Sequence, residues 1–498
     1  MGNNVVIAGW GQITQAKDQT DRLLDPLGLM VEASGRAAEK TKLSTVLRNV
    51  DAVFSVKVMS EYYPSASERL ADALGAAPRL TLTSSIGGNS PQSLINKAAG
   101  MIARGELESV LIAGGETYCP RNKHRDKTGS LLFKGLEGGH ESEDMIGASD
   151  LEKRHGIHLP VHGFPLFETA LWAESGLPIE TYLQGVGRMW SRFSSVAASH
   201  PGSWTHTPRG VDEIITPGPA NRRIAFPYTK YMTSLVSVDM AAALLLMSED
   251  RAKRICPKTR RPVYFLAGAD ARDRQRFMAD KTGFTTSPAL SACVRKVFQR
   301  SGLLADDIQC FDLYSCFPCS VAIAKKTLGL KDSDERPLTV TGGLGFFGGP
   351  GNNYSLHAAA SMAEAISRGA FDTGMITSLG WFMHKHSAGI FSAIPKDTGL
   401  NHFDLEDEAN PLAGNAPEIT LDQVHGTGII ETYTVLFARN GSPSLAVLYG
   451  KTPEGLRFVA QAMPEPGIFS ELTRRCWVGE TVRLRHHPKT NLNFAEFI

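Results

Sequence analysis

Two glycine-rich turns and one cysteine pair are the places in this 498-residue chain where residue type and spacing could do chemistry. Gly87, Gly88, Asn89 and Ser90 open one apolar helical stretch; Gly348, Gly349, Gly351 and Asn353 open another. The unpaired N–H groups and positive end of a helix can hold a carbonyl, carboxylate or phosphate without any catalytic side chain. The same glycines could equally serve only tight turns and close packing. Neither turn matches a Walker A or dinucleotide fingerprint, so nucleoside triphosphate and NAD sites are not expected. Cys316 and Cys319 form a C-x-x-C, but a structural zinc needs two further ligands and the chain has no second such pair. Ordinary buried thiols are the expectation, with no metal and no bound cofactor.

The elements that must position these residues repeat. Residues 80–115 read as a β-branched strand (LTLT), a glycine turn, a helix and a buried strand (VLIAGG). Asn89 or Ser90 caps the helix, Pro91 sits in its first turn and Gly105 stops it. Residues 338–380 repeat the pattern from LTVT onward. Arg368 and Gly369 align with Arg104 and Gly105, Asn353 with Asn89, Ala363 with Ala99 and Ile366 with Ile102. A duplicated α/β fold is expected, each half alternating strand and helix around a parallel sheet.

The first half is expected over residues 1–250, with an insertion at about 119–226, and the second over 251–400. The insertion is rich in Gly, His, Pro and Arg, and its Arg188, Arg192, His155, His158, His162, His200 and His206 read mostly as solvated or locally bonded. An acidic, Pro-containing linker covers 403–417. Within 401–498 four short strands follow with NGS, PEG and PEPG turns, a small antiparallel β domain of partly open, OB-like barrel form.

Forty-two per cent hydrophobic residues, 21% charged and a net charge of +1 fit an ordinary globular protein and give no reason to expect nucleic acid. No apolar run approaches the roughly 20 residues of a membrane span. Seven cysteines, an odd number, without a secretion signal point to reduced thiols and a cytoplasmic location.

The helix unit ending in IARGELESVLIAGGE, with PYTKYMTSLVSVDMAAALLLMS, DLYSCF, GGLGFFGGPG and SLGWFMHKHSAG, resembles the thiolase superfamily over about residues 1–392. GGNSPQ, KHSAG and the extra β domain resemble its subgroup of thiolase-like proteins type 1. The resemblance implies a duplicated βαβαβαββ core in five α-β-α-β-α layers, and coenzyme A or acyl-CoA as substrate or ligand. It also implies a possible homodimer or hetero-complex, a monomer being equally open.

The resemblance puts the superfamily's nucleophilic cysteine at Gly88 and the histidine of its GHP motif at Gly349. Its second cysteine falls near Leu379, and the Asn or His of its NEAF or HDCF motif at Tyr314. All four chemically active positions depart, and Claisen chemistry needs that set. Three readings stand open: an acyltransferase with relocated residues, a non-catalytic CoA or acyl-CoA binder, and a subunit whose partner supplies catalysis. For the first, Cys316 is the nucleophile, with Tyr314 and His386 as partners and Ser90 and His357 behind them. Each has a plain structural alternative as a buried thiol or a hydrogen-bonded histidine.

Overall fold

The computed structural model describes residues 4–19, 21–119, 147–396 and 412–498. The first half runs β1 (Val5–Thr14), α1 (Pro26–Ala38), β2 (Ala52–Ser55), α2 (Ala66–Leu74), β3 (Leu80–Thr83), α3 (Ser90–Ala103) and β4 (Ser109–Thr117). Asp25 starts α1 as an acidic cap, its carboxylate accepting the Gly28 N–H at 2.7 Å. Of the insertion, 120–146 lie outside the described residues. The rest forms α4 (Asp150–Arg154), α5 (Pro160–Ser175), α6 (Ile179–Ser199), α7 (Val211–Ile215) and a hairpin of β5 (Arg223–Ala225) and β6 (Tyr228–Thr229). β7 (Asp239–Ser248), buried along its whole length, and α8 (Glu249–Ile255) complete the half.

The second half comprises β8 (Tyr264–Asp273), α9 (Pro288–Ser301), β9 (Cys310–Asp312), α10 (Pro318–Leu328), α11 (Tyr354–Ser367), β10 (Thr373–Gly380) and β11 (Lys385–Ser392). Its strand order β9-β10-β11-β8 matches β2-β4-β7-β1 of the first half, with the same directions pair by pair. The duplication is therefore a property of the topology as well as of the sequence. α3 and α11 are both 14 residues long, start after an Asn and end on an Arg followed by a left-handed Gly.

Two expectations for the duplicated core are corrected. The sheets are mixed, not parallel. Only residues 381–384 join β10 to β11, too few for a crossover, so the two strands pair antiparallel. LTVT (338–341) forms no strand, although Leu338 accepts the Leu313 N–H beside β9 at 3.0 Å. The buried Asp312 carboxylate takes the N–H groups of Val340 and Thr341 and the Thr339 hydroxyl, so these groups bond to a side chain and the ladder stops.

The two half-sheets touch edge to edge through Val5 and Val6 against Phe265 and Tyr264. α3 and α11 lie between them, α3 packing on β4 and β7 of its own half and on β8 and β11 of the other. α1 and α2 cover one outer face and α9 the other, giving the five layers. β7 shows why both faces must be apolar: Leu244 and Leu246 face the central helices, while Leu245 and Met247 face α1.

Of the expected linker, 403–411 lie outside the described residues; β12 (Leu412–Ala413) pairs with β8. The C-terminal barrel consists of β13 (Gly426–Phe437), β14 (Pro443–Lys451), β15 (Arg457–Ala462), α12 (Ile468–Arg474), β16 (Thr481–His487) and β17 (Leu492–Phe497). Its order β14-β15-β17-β16-β13 closes through β13–β14, an OB-like barrel. It is not wholly antiparallel, because β15 and β17 run parallel with α12 and β16 between them in sequence. The insertion's β5–β6 hairpin extends the barrel sheet at Leu436. Buried Arg457 ties the barrel to the core, pairing with Glu418 and Glu431 and donating to the Ala279 carbonyl at 2.7 Å.

Candidate active-site region

β3 delivers the chain to the first glycine turn, and β2, β3 and β4 run parallel so that their carboxyl ends face the N-terminus of α3. Gly87 has φ +150°, and a Cβ there would lie 2.5 Å from Asn89 Oδ1, so only glycine fits. Ser90 Oγ donates to the Ser85 carbonyl at 2.8 Å. The turn is locked to the other half: the Gly87 N–H donates to Asn352 Oδ1 at 3.0 Å, and Ser355 Oγ to the Gly88 carbonyl at 2.9 Å.

The two capping asparagines cross over between halves. Asn89 Nδ2 donates to Ser387 Oγ on β11 at 3.3 Å, and Asn353 Nδ2 to the Gly114 carbonyl on β4 at 2.7 Å. Their Oδ1 atoms are buried without partners. In the second turn Gly348 (φ +131°) and Gly351 (φ +51°) are left-handed. A Cβ on Gly351 would lie 2.4 Å from Glu116 Oε1, whereas one on Gly349 would make only ordinary contacts with Leu235, Leu344 and Ser234. Much of this glycine pattern serves close packing between the halves.

Gly88 differs. A Cβ there would lie 1.9 Å from the Tyr314 hydroxyl oxygen and 2.6 Å from the Leu379 carbonyl. The phenol of Tyr314 therefore occupies the first side-chain position of the α3 turn. Behind it, Tyr314, Ser320, Ser378, Leu379 and His386 line a cavity of about 10 Å³. That is room for about one water. Larger crevices of about 540 Å³ beside α9 and about 580 Å³ between α5 and the barrel have other linings, and neither includes the Gly88 turn.

Tyr314 and His386 thus share one cavity wall, and Cys316 sits just outside it, 3.3 Å from Ser320 Oγ. Burial pushes the Cys316 thiol up to about 12, against the smaller opposing effect of the Ser320 hydroxyl. The thiol is protonated at neutral pH, the wrong state for a nucleophile. Burial lowers His386 to about 4, and its Nε2 pairs with Ser287 Oγ, the cap of α9, at 3.0 Å. Burial likewise raises Tyr314. Cys319 is held by the Phe164 carbonyl, at 3.5 Å from its Sγ. His357 lies away from this wall: its Nδ1 meets Gln12 Oε1 at 2.8 Å, and burial lowers it to about 3. All seven cysteines are free thiols, and among the described residues no cluster of three His, Cys, Asp or Glu could hold a metal.

Of the insertion's polar residues, His155 and His200 are locked in local contacts: His155 accepts the Asn493 N–H at 2.8 Å, and His200 meets Ser361 Oγ at 3.0 Å. Two groups near the glycine turns were not singled out from sequence. Glu116 is fully buried at the end of β4 and accepts the N–H groups of Met59 and Ser60 at 2.9 and 2.8 Å. Burial raises it to about 7. Its position directly after the glycine pair of VLIAGGE was the available signal. Lys281 and Asp273 form a buried ion pair at 2.8 Å beside the β10–β11 turn; eight positions apart, with Asp273 at the end of β8 and Lys281 in the loop that follows, they gave none.

The barrel, residues 412–489, matches the family model described as the thiolase-like protein type 1 additional C-terminal domain. Over 99% of both chains, the structure is similar to a monomeric SCP2-thiolase like protein type 1 from Mycobacterium smegmatis, with TM-score 0.81 and 28% identity. The chain has the fold of the type 1 thiolase-like proteins of the thiolase superfamily and carries their additional C-terminal domain. A 3-ketoacyl-CoA thiolase of Aeromonas hydrophila subsp. hydrophila is 32% identical over 120 residues; the match spans 24% of this chain and 28% of that relative. The fold recurs in two further structures, each matching 79% of this chain. They are the Ltp2-ChsH2(DUF35) aldolase (99% of that chain, TM-score 0.61, 18% identity) and the acetyl-CoA acetyltransferase from Syntrophomonas wolfei (100%, 0.57, 14%). Within this thiolase-like fold, the turn expected to carry the superfamily's nucleophile carries Gly88 with the Tyr314 hydroxyl against it.

Proposed function

We propose that this protein binds coenzyme A or an acyl-CoA on a thiolase scaffold without forming an acyl-enzyme. One observation carries the reading: the Tyr314 hydroxyl fills the space where a nucleophile on residue 88 would begin. The ligand class is supported by the names of the 3-ketoacyl-CoA thiolase and the acetyl-CoA acetyltransferase that the chain resembles. Two helix N-termini at the glycine turns supply donors and positive potential for a thioester carbonyl or a phosphate. A cytoplasmic, CoA-rich setting suits seven free thiols. Among the described residues no helix is long and apolar enough to cross a membrane.

A relocated acyltransferase centre is the second reading, supported by Tyr314 and His386 sharing a cavity wall beside Cys316. It demands a thiolate from a thiol pushed up to about 12, so the binder reading is preferred. The test combines intact-protein mass after incubation with acetyl-CoA and a medium-chain acyl-CoA with calorimetric titration by CoA. Saturable CoA binding and unchanged mass are expected. An acyl adduct that disappears in Cys316→Ala overturns the binder reading in favour of covalent chemistry, and absence of both adduct and binding removes the CoA claim.

A further inference from the structure

We infer that Tyr314 is a specificity-determining residue whose ring plugs the space beyond the α3 turn, so that the ligand accepted is free CoA or a thioester with its acyl group held outside. This rests on the CoA reading above and names which form of that ligand the site takes. Three features of the geometry carry it. The Tyr314 hydroxyl stands at the mouth, within 1.9 Å of a Cβ position on Gly88. The space behind is a dead end of about 10 Å³, too small for even a short acyl group. Its walls combine the apolar Leu290, Ile323 and Met383 with a Ser378 hydroxyl that is buried without a partner. Such a lining suits an apolar chain ending near a carbonyl, and the tyrosine denies it entry.

The ring is fixed, as a plug must be. It packs edge-on against Tyr354 at 5.6 Å between centroids, and the backbone N–H of Tyr314 donates to Thr377 Oγ1 at 3.2 Å. The cavity of about 10 Å³ behind it is too small to take a rotated ring. Removing the phenol joins the space at the Gly88 turn to the dead end, in one pocket lined by apolar Leu290, Ile323 and Met383 with Ser320, Thr377, Ser378 and His386 among them.

The test uses the full chain as wild type, Tyr314→Phe and Tyr314→Ala, titrated calorimetrically with CoA and octanoyl-CoA. Burying only two methylenes is worth about tenfold in affinity. The expected result is a gain of about tenfold or more in octanoyl-CoA affinity relative to CoA for Tyr314→Ala, and little change for Tyr314→Phe, which keeps the ring. An unchanged ratio in Tyr314→Ala, or a wild type that already prefers octanoyl-CoA, overturns the inference and leaves the CoA reading standing. If no variant binds CoA, that reading fails, and the plug is judged by melting with p-cresol, which rebuilds the missing side chain. A p-cresol shift in Tyr314→Ala and none in the wild type supports it; no shift overturns it. Tyr314→Leu serves in the same measurements if Tyr314→Ala does not fold.

Discussion

The hydroxyl of Tyr314 and the absent side chain of Gly88 share one volume: the oxygen lies 1.9 Å from where a β-carbon on Gly88 would stand. The two residues come from opposite halves of the duplicated fold, Gly88 from the turn before α3 and Tyr314 from the turn after β9. The relationship makes each residue a condition for the other.

Gly88→Cys, which puts a thiol where the resemblance places the superfamily's nucleophile, is expected to destabilise the protein by about 1–3 kcal/mol through overpacking. In a Tyr314→Gly background the same change should cost clearly less, a coupling of about 1 kcal/mol or more between residues in contact. Urea unfolding of the four-member cycle checks this; additive costs would show that the tyrosine does not fill the position.

Glu116 ties neutral pH to stability. Its folded value of about 7 lies above the ordinary carboxylate value of 4.5. Its contribution is therefore fully present below 4.5 and is lost as pH rises through about 7, about 3 kcal/mol in all. Glu116→Gln should cost some stability at acid pH, because one of the two N–H groups it accepts loses its partner. It should also flatten the fall in stability between pH 4.5 and 7. Chemical denaturation at a series of pH values reads the slope.

His357 acts in the opposite sense. It is buried and neutral, lowered to about 3 from 6.5, with Gln12, His200 and Phe347 around it. The unfolded chain takes up a proton below 6.5 that the folded chain refuses, so stability is lost as pH falls from 6.5 towards 3, by about 5 kcal/mol at most. His357→Asn can still donate to Gln12 and cannot titrate. Its acid-unfolding midpoint, followed by circular dichroism, is expected at lower pH than that of the wild type.

Lys281→Met should be severely destabilising. It leaves Asp273 buried without the ammonium group 2.8 Å away, and breaking one side of such a pair costs about 3–5 kcal/mol. The Asp273 carboxylate also holds the Ala289 N–H at the start of α9, so the loss spreads into that helix. Thermal melting checks the magnitude, and hydrogen exchange over α9 checks the location.

What the sequence determined by itself is whatever depends on local order. The strand–turn–helix units, the matched asparagine starts and arginine–glycine stops of α3 and α11, and the change to short strands in the barrel all follow from hydrophobic period and turn residues. Gly88 and Gly349 lack reactive side chains as a plain matter of residue type. Tertiary structure alone decided the rest. The failure of 338–341 to form a strand depends on a carboxylate 27 or so positions away in Asp312. The parallel β15–β17 pair depends on barrel closure. The protonation of Cys316, His386 and Glu116 depends on burial, which no local pattern encodes. The filling of the Gly88 turn by Tyr314 depends on two segments more than 200 residues apart meeting across the interface of the halves. Side-chain type is written in the sequence, but occupancy of space and the charge state that follows from it arise only when distant parts of the chain exclude water together.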